Sequence, residues 1–112
     1  MTFDEYQRVA KQTAQYPKND NLGLFYVFMG LANESGECVG KVKKVIRDHD
    51  NIDQGLHDRK DDIIDELGDV LWYLSACADE LGVSLAKVAE RNNQKLLDRL
   101  ARNKIKGSGD KR

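Results

Sequence analysis

Apolar residues recur at three- and four-residue intervals along most of this chain, and that period predicts helices. Phe3, Tyr6, Val9, Ala10 and Thr13 set the pattern of a first helix over residues 2–16. Thr2 serves as its N-cap, and Glu5 three positions on is the partner for a capping box. Pro17 closes that segment, and Lys18-Asn19-Asp20-Asn21 reads as a loop. Leu24, Phe28, Leu31, Cys38, Val42, Val45 and Ile46 mark a second helix over 22–47. Gly30, Gly36 and Gly40 interrupt it, each at about 1 kcal/mol relative to Ala. They point to a bend, or to the close approach of another helix or a ligand. Lys41, Lys43, Lys44 and Arg47 suit its last turns, where the helix dipole is negative.

Residues 48–58 are polar, contain Gly55 and lack a period, so they read as a loop. Ile63, Leu67, Val70, Leu71, Leu74, Ala78 and Leu81 form a continuous stripe on a third helix over 59–81, which Gly82 stops. Ser84 caps a fourth over 85–102, with Leu85, Val88, Ala89, Leu96 and Leu100 at helical offsets. No strand alternation persists. The expectation is all-α: one domain over 1–102 built as a four-helix bundle, then a disordered polar tail over 103–112. The segment Phe25-Tyr26-Val27-Phe28-Met29 is apolar on more than one face, which favours association of copies.

Composition narrows the function. Charged residues make up 33% of the chain with a formal net charge of -1, so a broad basic surface for nucleic acid is not indicated. No apolar run approaches the ~20 residues that span a bilayer, and no secretory signal opens the chain. Cys38 and Cys77 lie in apolar helical patterns and read as small buried residues of a reducing cytoplasm. His49 and His57 have no neighbour at zinc spacing.

Two short words carry the chemistry. Glu34-Ser35-Gly36-Glu37 and Glu66-Leu67-Gly68-Asp69 each set two carboxylates three residues apart. On a helix such a pair shares one face, roughly 5–6 Å apart at Cβ. Acids converging from two helices repel unless a cation lies among them, and oxygen ligands suit Mg²⁺. Asp62, Glu66, Asp69 and Tyr73 run along one side of the third helix, and Glu34, Glu37, Lys41 and Lys44 along the second. Spacing alone equally suits two solvated faces, since charged side chains are mostly exposed. Gly36 and Gly68 inside the words would let two helices, or a nucleotide, approach closely.

These residues resemble a known family. Gly30-Leu31-Ala32-Asn33-Glu34-Ser35-Gly36-Glu37 with Lys43-Lys44-Val45-Ile46-Arg47 is similar to the first half of the MazG-like nucleotide pyrophosphohydrolase signature. Asp65-Glu66-Leu67-Gly68-Asp69-Val70-Leu71-Trp72-Tyr73-Leu74 is similar to the second half. The spacer between Glu37 and Glu66 is 28 residues, long for the family but within its pattern, and Asn33 stands where Gly is more usual. Asn92-Asn93-Gln94-Lys95-Leu96-Leu97-Asp98-Arg99 resembles the family's downstream Asn/Lys/Arg element.

The resemblance implies an all-α fold and hydrolysis of a nucleoside triphosphate to monophosphate and pyrophosphate by water attack at the α-phosphorus. It implies Mg²⁺, with Mn²⁺ as an alternative, and Glu34, Glu37, Glu66 and Asp69 as metal ligands and catalytic acids. Glu34 and Glu37 are both candidates for the base. Lys44, Arg47, Lys95 and Arg99 are candidates to neutralise phosphates, and Tyr73 and Asn92 to contact substrate. Phe25, Phe28 and Trp72 read as base-stacking or as core. A homodimer or homotetramer working on the cytoplasmic nucleotide pool is implied, with no nucleic-acid or membrane partner. The rival readings are a narrow dUTP- or dCTP-directed pyrophosphatase and a non-catalytic helical interaction module.

Overall fold

A computed structural model describes all 112 residues, and it is helical throughout. Five α-helices follow in order: α1 (Phe3–Gln12), α2 (Leu22–Asp48), α3 (Ile52–Asp58), α4 (Lys60–Glu80) and α5 (Leu85–Ala101). A single 3-10 turn, Asn19–Asn21, leads into α2.

The expected caps form. The Thr2 hydroxyl accepts from the Glu5 amide, and the Glu5 carboxylate accepts from the Thr2 amide, closing the capping box. Ser84 Oγ accepts from the Lys87 amide at the start of α5. Gly82, at φ 68°, ends α4 in a left-handed turn. The Val83 amide reaches back to Ala78 O and the Gly82 amide to Asp79 O, so two carbonyls at that end are satisfied.

Two boundaries differ from the periodic reading. α1 stops at Gln12, because the Thr13 hydroxyl donates to Ala10 O and Thr13 Oγ1 also accepts from Trp72 Nε1 at 2.8 Å. The stretch 48–58, expected as a loop, holds a fifth helix. Asn51 caps it through the Gln54 amide, and Gly55 is buried where an added Cβ would lie 2.8 Å from the His49 ring. Seven residues are too few to show a period, which is why the sequence pattern misses α3.

The organising contact is an antiparallel pair, α2 against α4. Gly23 lies against the Glu80 carboxylate and Gly30 against the Tyr73 ring, while Lys41 meets Glu66. Contacts thus move up α2 as they move down α4. The residues of α2 that face α4 follow a three-four rhythm: Val27, Leu31, Glu34, Cys38, Lys41, Val45. This seam is apolar at one end, where Val27, Ala76 and Cys77 form the core with Tyr16, Leu31, Trp72 and Tyr73 around them. It is polar in the middle, where the acids sit.

Polar bonds hold α1 onto this pair. Buried Gln7 donates to Asp79 Oδ1 and Val83 O and accepts from the Leu85 amide, tying α1 to the turn between α4 and α5. The Tyr16 hydroxyl donates to Glu80 at 2.6 Å. α5 packs on α1 and α4 and does not touch α2.

The tail also departs from expectation. Gly107 and Gly109 take positive φ and curl residues 104–112 back over α5. Arg99 donates to the carbonyls of Gly109 and Asp110, and Arg102 to the carbonyl of Arg112. With Arg112 Nη1 donating to the Gly109 carbonyl, three arginines bonded to backbone carbonyls hold what a frayed polar end would leave in water.

Candidate metal and phosphate site

The polar middle of the α2–α4 seam brings three carboxylates together. One oxygen each from Glu34, Glu66 and Asp69 lies within 4.8 Å of the others. Glu34 is placed by the same rhythm that places Val27 and Leu31. Glu66 and Asp69 are one turn apart on the facing helix. Glu34 and Glu66 are half-buried and Asp69 is exposed, so the cluster opens to solvent on one side.

Lys41 is the counter-charge within reach, with Nζ 3.3 Å from Glu66 Oε1. Three carboxylates against one ammonium leave an excess of acidic groups in a seam that only partly sees water. Such an excess is relieved by a cation. The donors are all carboxylate oxygens, the set that Mg²⁺ and Mn²⁺ accept and that soft metals do not favour.

Tyr73 borders the cluster. Its ring lies edge-on to Trp72 at 4.9 Å and fills the space over Gly30. Burial pushes its phenol above the usual tyrosine range, followed by the neighbouring Tyr26 and then the charges of Glu34 and Asp69. Burial likewise raises Tyr6 on α1, with Asp69 adding to it. Two neutral phenols therefore flank the acids.

The remaining expected residues divide. Glu37 is exposed and stands outside the close set. It follows Glu34 by three residues, a rotation of about 60° around the helix axis. Lys44 is half-buried one turn beyond Lys41. Arg47 is taken by its neighbour, with Nε 2.6 Å from Asp48 Oδ1, and the pair lies in water. Asn92, Lys95 and Arg99 are on α5, which packs against α4 and not against α2, and none of them belongs to the close acid set. Arg99 is buried and committed to the tail.

The glycines inside the two words do not mark the close approach. An added Cβ at Gly36 or Gly68 would meet nothing within 4 Å, whereas at Gly30 it would fall 2.0 Å from Tyr73 Cε1. The helices meet one turn before the first acid. Trp72 is packed between Tyr16 and Tyr73 and bonded to Thr13. Phe25 and Phe28 are exposed. Cys77 is buried as expected, but Cys38 is only partly covered, at the edge of an apolar patch with Val39, Val42, Ile46, Ile63 and Leu67. Sequence reasoning passed over Lys41 as a direct partner of the acids. The signal was present, since Lys41 follows Glu34 by seven residues and so returns to the same seam.

The model of the MazG nucleotide pyrophosphohydrolase domain matches residues 27–102, which include both acidic words, Lys41 and Tyr73. The chain is 45% identical to the Gene 37 protein of Mycobacterium phage L5 over 116 aligned positions, with both chains covered completely. No solved structure matches it.

Proposed function

This chain belongs to the MazG nucleotide pyrophosphohydrolase family, and from that premise we propose that it hydrolyses nucleoside triphosphates to monophosphate and pyrophosphate with Mg²⁺ in the α2–α4 seam. The observation that carries the reading is the convergence of Glu34, Glu66 and Asp69 within 4.8 Å on two facing helices. Scattered surface acids would not share a half-buried seam with so little opposing charge.

In this reading Glu34, Glu66 and Asp69 hold the ion. When bound, Mg²⁺ lowers the pKa of coordinated water and neutralises phosphate oxygens. Glu37, outside the close set, remains free to accept a proton from the water that attacks the α-phosphorus. Lys41 balances the charge of Glu66, and Lys44 beyond it neutralises the outer phosphates. Tyr73 donates its hydroxyl proton in a hydrogen bond to the sugar or a phosphate, a role that a phenol kept neutral can fill.

The working unit in this reading is a homodimer or homotetramer acting on the cytoplasmic nucleotide pool. The single chain leaves Phe25, Met29, Val39 and Ile46 each more than 60% exposed. Its radius of gyration is 17.2 Å, against about 13 Å for a compact domain of this length. An open, apolar surface of that kind marks an association face. No helix is long and apolar enough to cross a membrane.

The test is a panel of canonical and modified (deoxy)nucleoside triphosphates, with released pyrophosphate converted to phosphate and measured. Turnover across the panel that needs Mg²⁺ and disappears in Glu66→Gln supports the reading. Turnover on dUTP or dCTP alone narrows it. No turnover on any substrate favours the helical interaction module, and near wild-type turnover in Glu66→Gln overturns the site.

A further inference from the structure

Lys41 stands in the helix seam, and its charge faces a single acid. Its Nζ lies 3.3 Å from Glu66 Oε1, with the lysine side chain 29% exposed and the glutamate 15%. No other ion pair reaches either residue. The pair is looser than Lys87 with Glu90 at 2.7 Å or Lys95 with Asp110 at 3.1 Å. Glu66 is also one of the three acids that converge within 4.8 Å. These two demands on one carboxylate conflict. Mg²⁺ bonded to Oε1 at about 2.1 Å would stand no more than about 5.4 Å from the ammonium of Lys41. At that range a divalent and a monovalent cation repel in a half-buried seam.

A lysine is suited to give way. Its ammonium is a compact charge on a flexible four-carbon stem, with three donors that can be redirected, whereas an arginine would grip the carboxylate with a fixed fork. Lys44, half-buried one turn further along α2, pairs with no acid. An ammonium that swings off Glu66 therefore joins a second cation beside the acids. Two ammonium groups next to a divalent ion match the polyanionic phosphate chain of a nucleoside triphosphate.

We propose that Lys41 is a transferable counter-charge: it competes with the metal for Glu66 and, once displaced, binds the phosphate chain of the substrate. This rests on the hydrolysis reading above and adds a coupling to it. Metal alone must break the Lys41–Glu66 pair for nothing in return, whereas metal with triphosphate gives Lys41 a new partner. The two ligands thus bind cooperatively through one side chain, each raising the affinity of the other by the same factor.

Calorimetry separates the two roles, first with Mg²⁺ alone and then with inorganic tripolyphosphate titrated at saturating Mg²⁺. Tripolyphosphate carries the phosphate chain of every substrate in the panel and no base. Lys41→Gln should bind Mg²⁺ alone about fivefold more tightly, because the competing ion pair is gone. The same chain, saturated with Mg²⁺, should bind tripolyphosphate about tenfold more weakly, the loss of one charge-assisted hydrogen bond. A merely structural pair would move both affinities in one direction. Lys41→Arg keeps the charge and should bind Mg²⁺ no more tightly than the unaltered chain. Lys44→Gln removes a charge with no hold on Glu66 and should shift Mg²⁺ affinity far less than Lys41→Gln does. Circular dichroism should show one helix content throughout. Mg²⁺ binding that Glu66→Gln removes upholds the acid site independently of Lys41. With that established, equal Mg²⁺ affinity in Lys41→Gln and the unaltered chain overturns the role of Lys41, and so does undiminished tripolyphosphate binding. Mg²⁺ binding that Glu66→Gln leaves untouched overturns the acid site and this proposal together.

Discussion

Replacing Gly30 by Ala tests the helix crossing on which the acid site depends. The new methyl carbon would lie 2.0 Å from Tyr73 Cε1 and 2.5 Å from Cδ1 and Cζ. Carbon atoms in contact settle at about 3.5–4.0 Å, so ring and helix must separate by roughly 1.5 Å. The ring has little room to do so. Trp72 stands edge-on at 4.9 Å, and Val27, Ala76 and Cys77 close the core beside it. Overpacking of this kind costs about 1–3 kcal/mol, and the short distances place Gly30 at the upper end. Removing a helical glycine returns about 1 kcal/mol. The net loss is about 2 kcal/mol, which lowers Tm by about 10 °C in a domain of this size. Gly40→Ala supplies the contrast, because nothing lies within 4 Å of its added Cβ. It keeps the propensity gain and should raise Tm by about 4 °C. Thermal unfolding by circular dichroism at one fixed protein concentration reads both, since association would otherwise shift Tm. A Gly30→Ala chain as stable as Gly40→Ala would mean that the helices do not cross at Tyr73. The register that brings Glu34 to Asp69 would then be wrong.

Four further outcomes follow from the same geometry. Millimolar Mg²⁺ should raise Tm of the unaltered chain but not of Glu66→Gln, measured by thermal shift, because an ion bound only by the folded state stabilises it. Ser75→Ala should be neutral or stabilising by up to about 1 kcal/mol in urea unfolding, since the Ser75 hydroxyl is fully buried without a partner. Gln7→Ala should cost about 2–3 kcal/mol in the same assay, as it strands the Leu85 amide and the Val83 carbonyl at the α4–α5 turn. Burial first, and then the hydrogen bond to Glu80, hold the folded Tyr16 phenol far above its unfolded value of about 10. Above that pH the unfolded chain releases the proton and the folded chain keeps it. Stability should therefore fall as pH rises beyond about 10, and Tyr16→Phe should flatten that fall in a pH series of urea midpoints.

The long elements were legible because each of them carries its own period, and caps mark several of their ends. Thr2 with Glu5, Ser84 and Gly82 mark ends through local geometry that needs no tertiary partner. α3 was not legible, because its seven residues are held by Asn51 and by Gly55 packing under His49, contacts that no periodic pattern encodes. The convergence of Glu34, Glu66 and Asp69 could be anticipated from the paired words. The offset of Glu37 could not. Three residues at 100° each turn its carboxylate away from the seam by about 60°, and only the register of α4 against α2 decides which acid of a pair faces inward. The tail reads as polar and unstructured because glycines and charges are what unstructured ends contain. Its actual course depends on positive φ at Gly107 and Gly109 and on arginines presented by α5.

Placing acids inside a helix seam has a structural consequence. Glu34, Lys41 and Glu66 occupy positions that an ordinary antiparallel pair would fill with Leu or Val. That stretch contributes little burial, and the main apolar cluster lies at the end near Val27 and Cys77, with Val45 buried at the other. Small domains have little surplus burial to lose. The chain offsets this in two ways. Gln7 of α1, and Thr13 and Tyr16 just beyond its end, reach across to α4 and the following turn with directed bonds. The outer faces of α2 and α4 also keep Val39, Val42, Ile46 and Leu67 apolar, where a self-sufficient monomer would carry charge. If a second copy covers those faces, the stability missing from the seam is recovered outside it, and the acids remain open to a cation and its phosphate. Cys38 sits at the junction of seam and outer face, so Cys38→Asp should leave the acids in place while weakening association. Sedimentation velocity would show a smaller species with helix content intact, and an unchanged sedimentation coefficient would remove the outer face from the account.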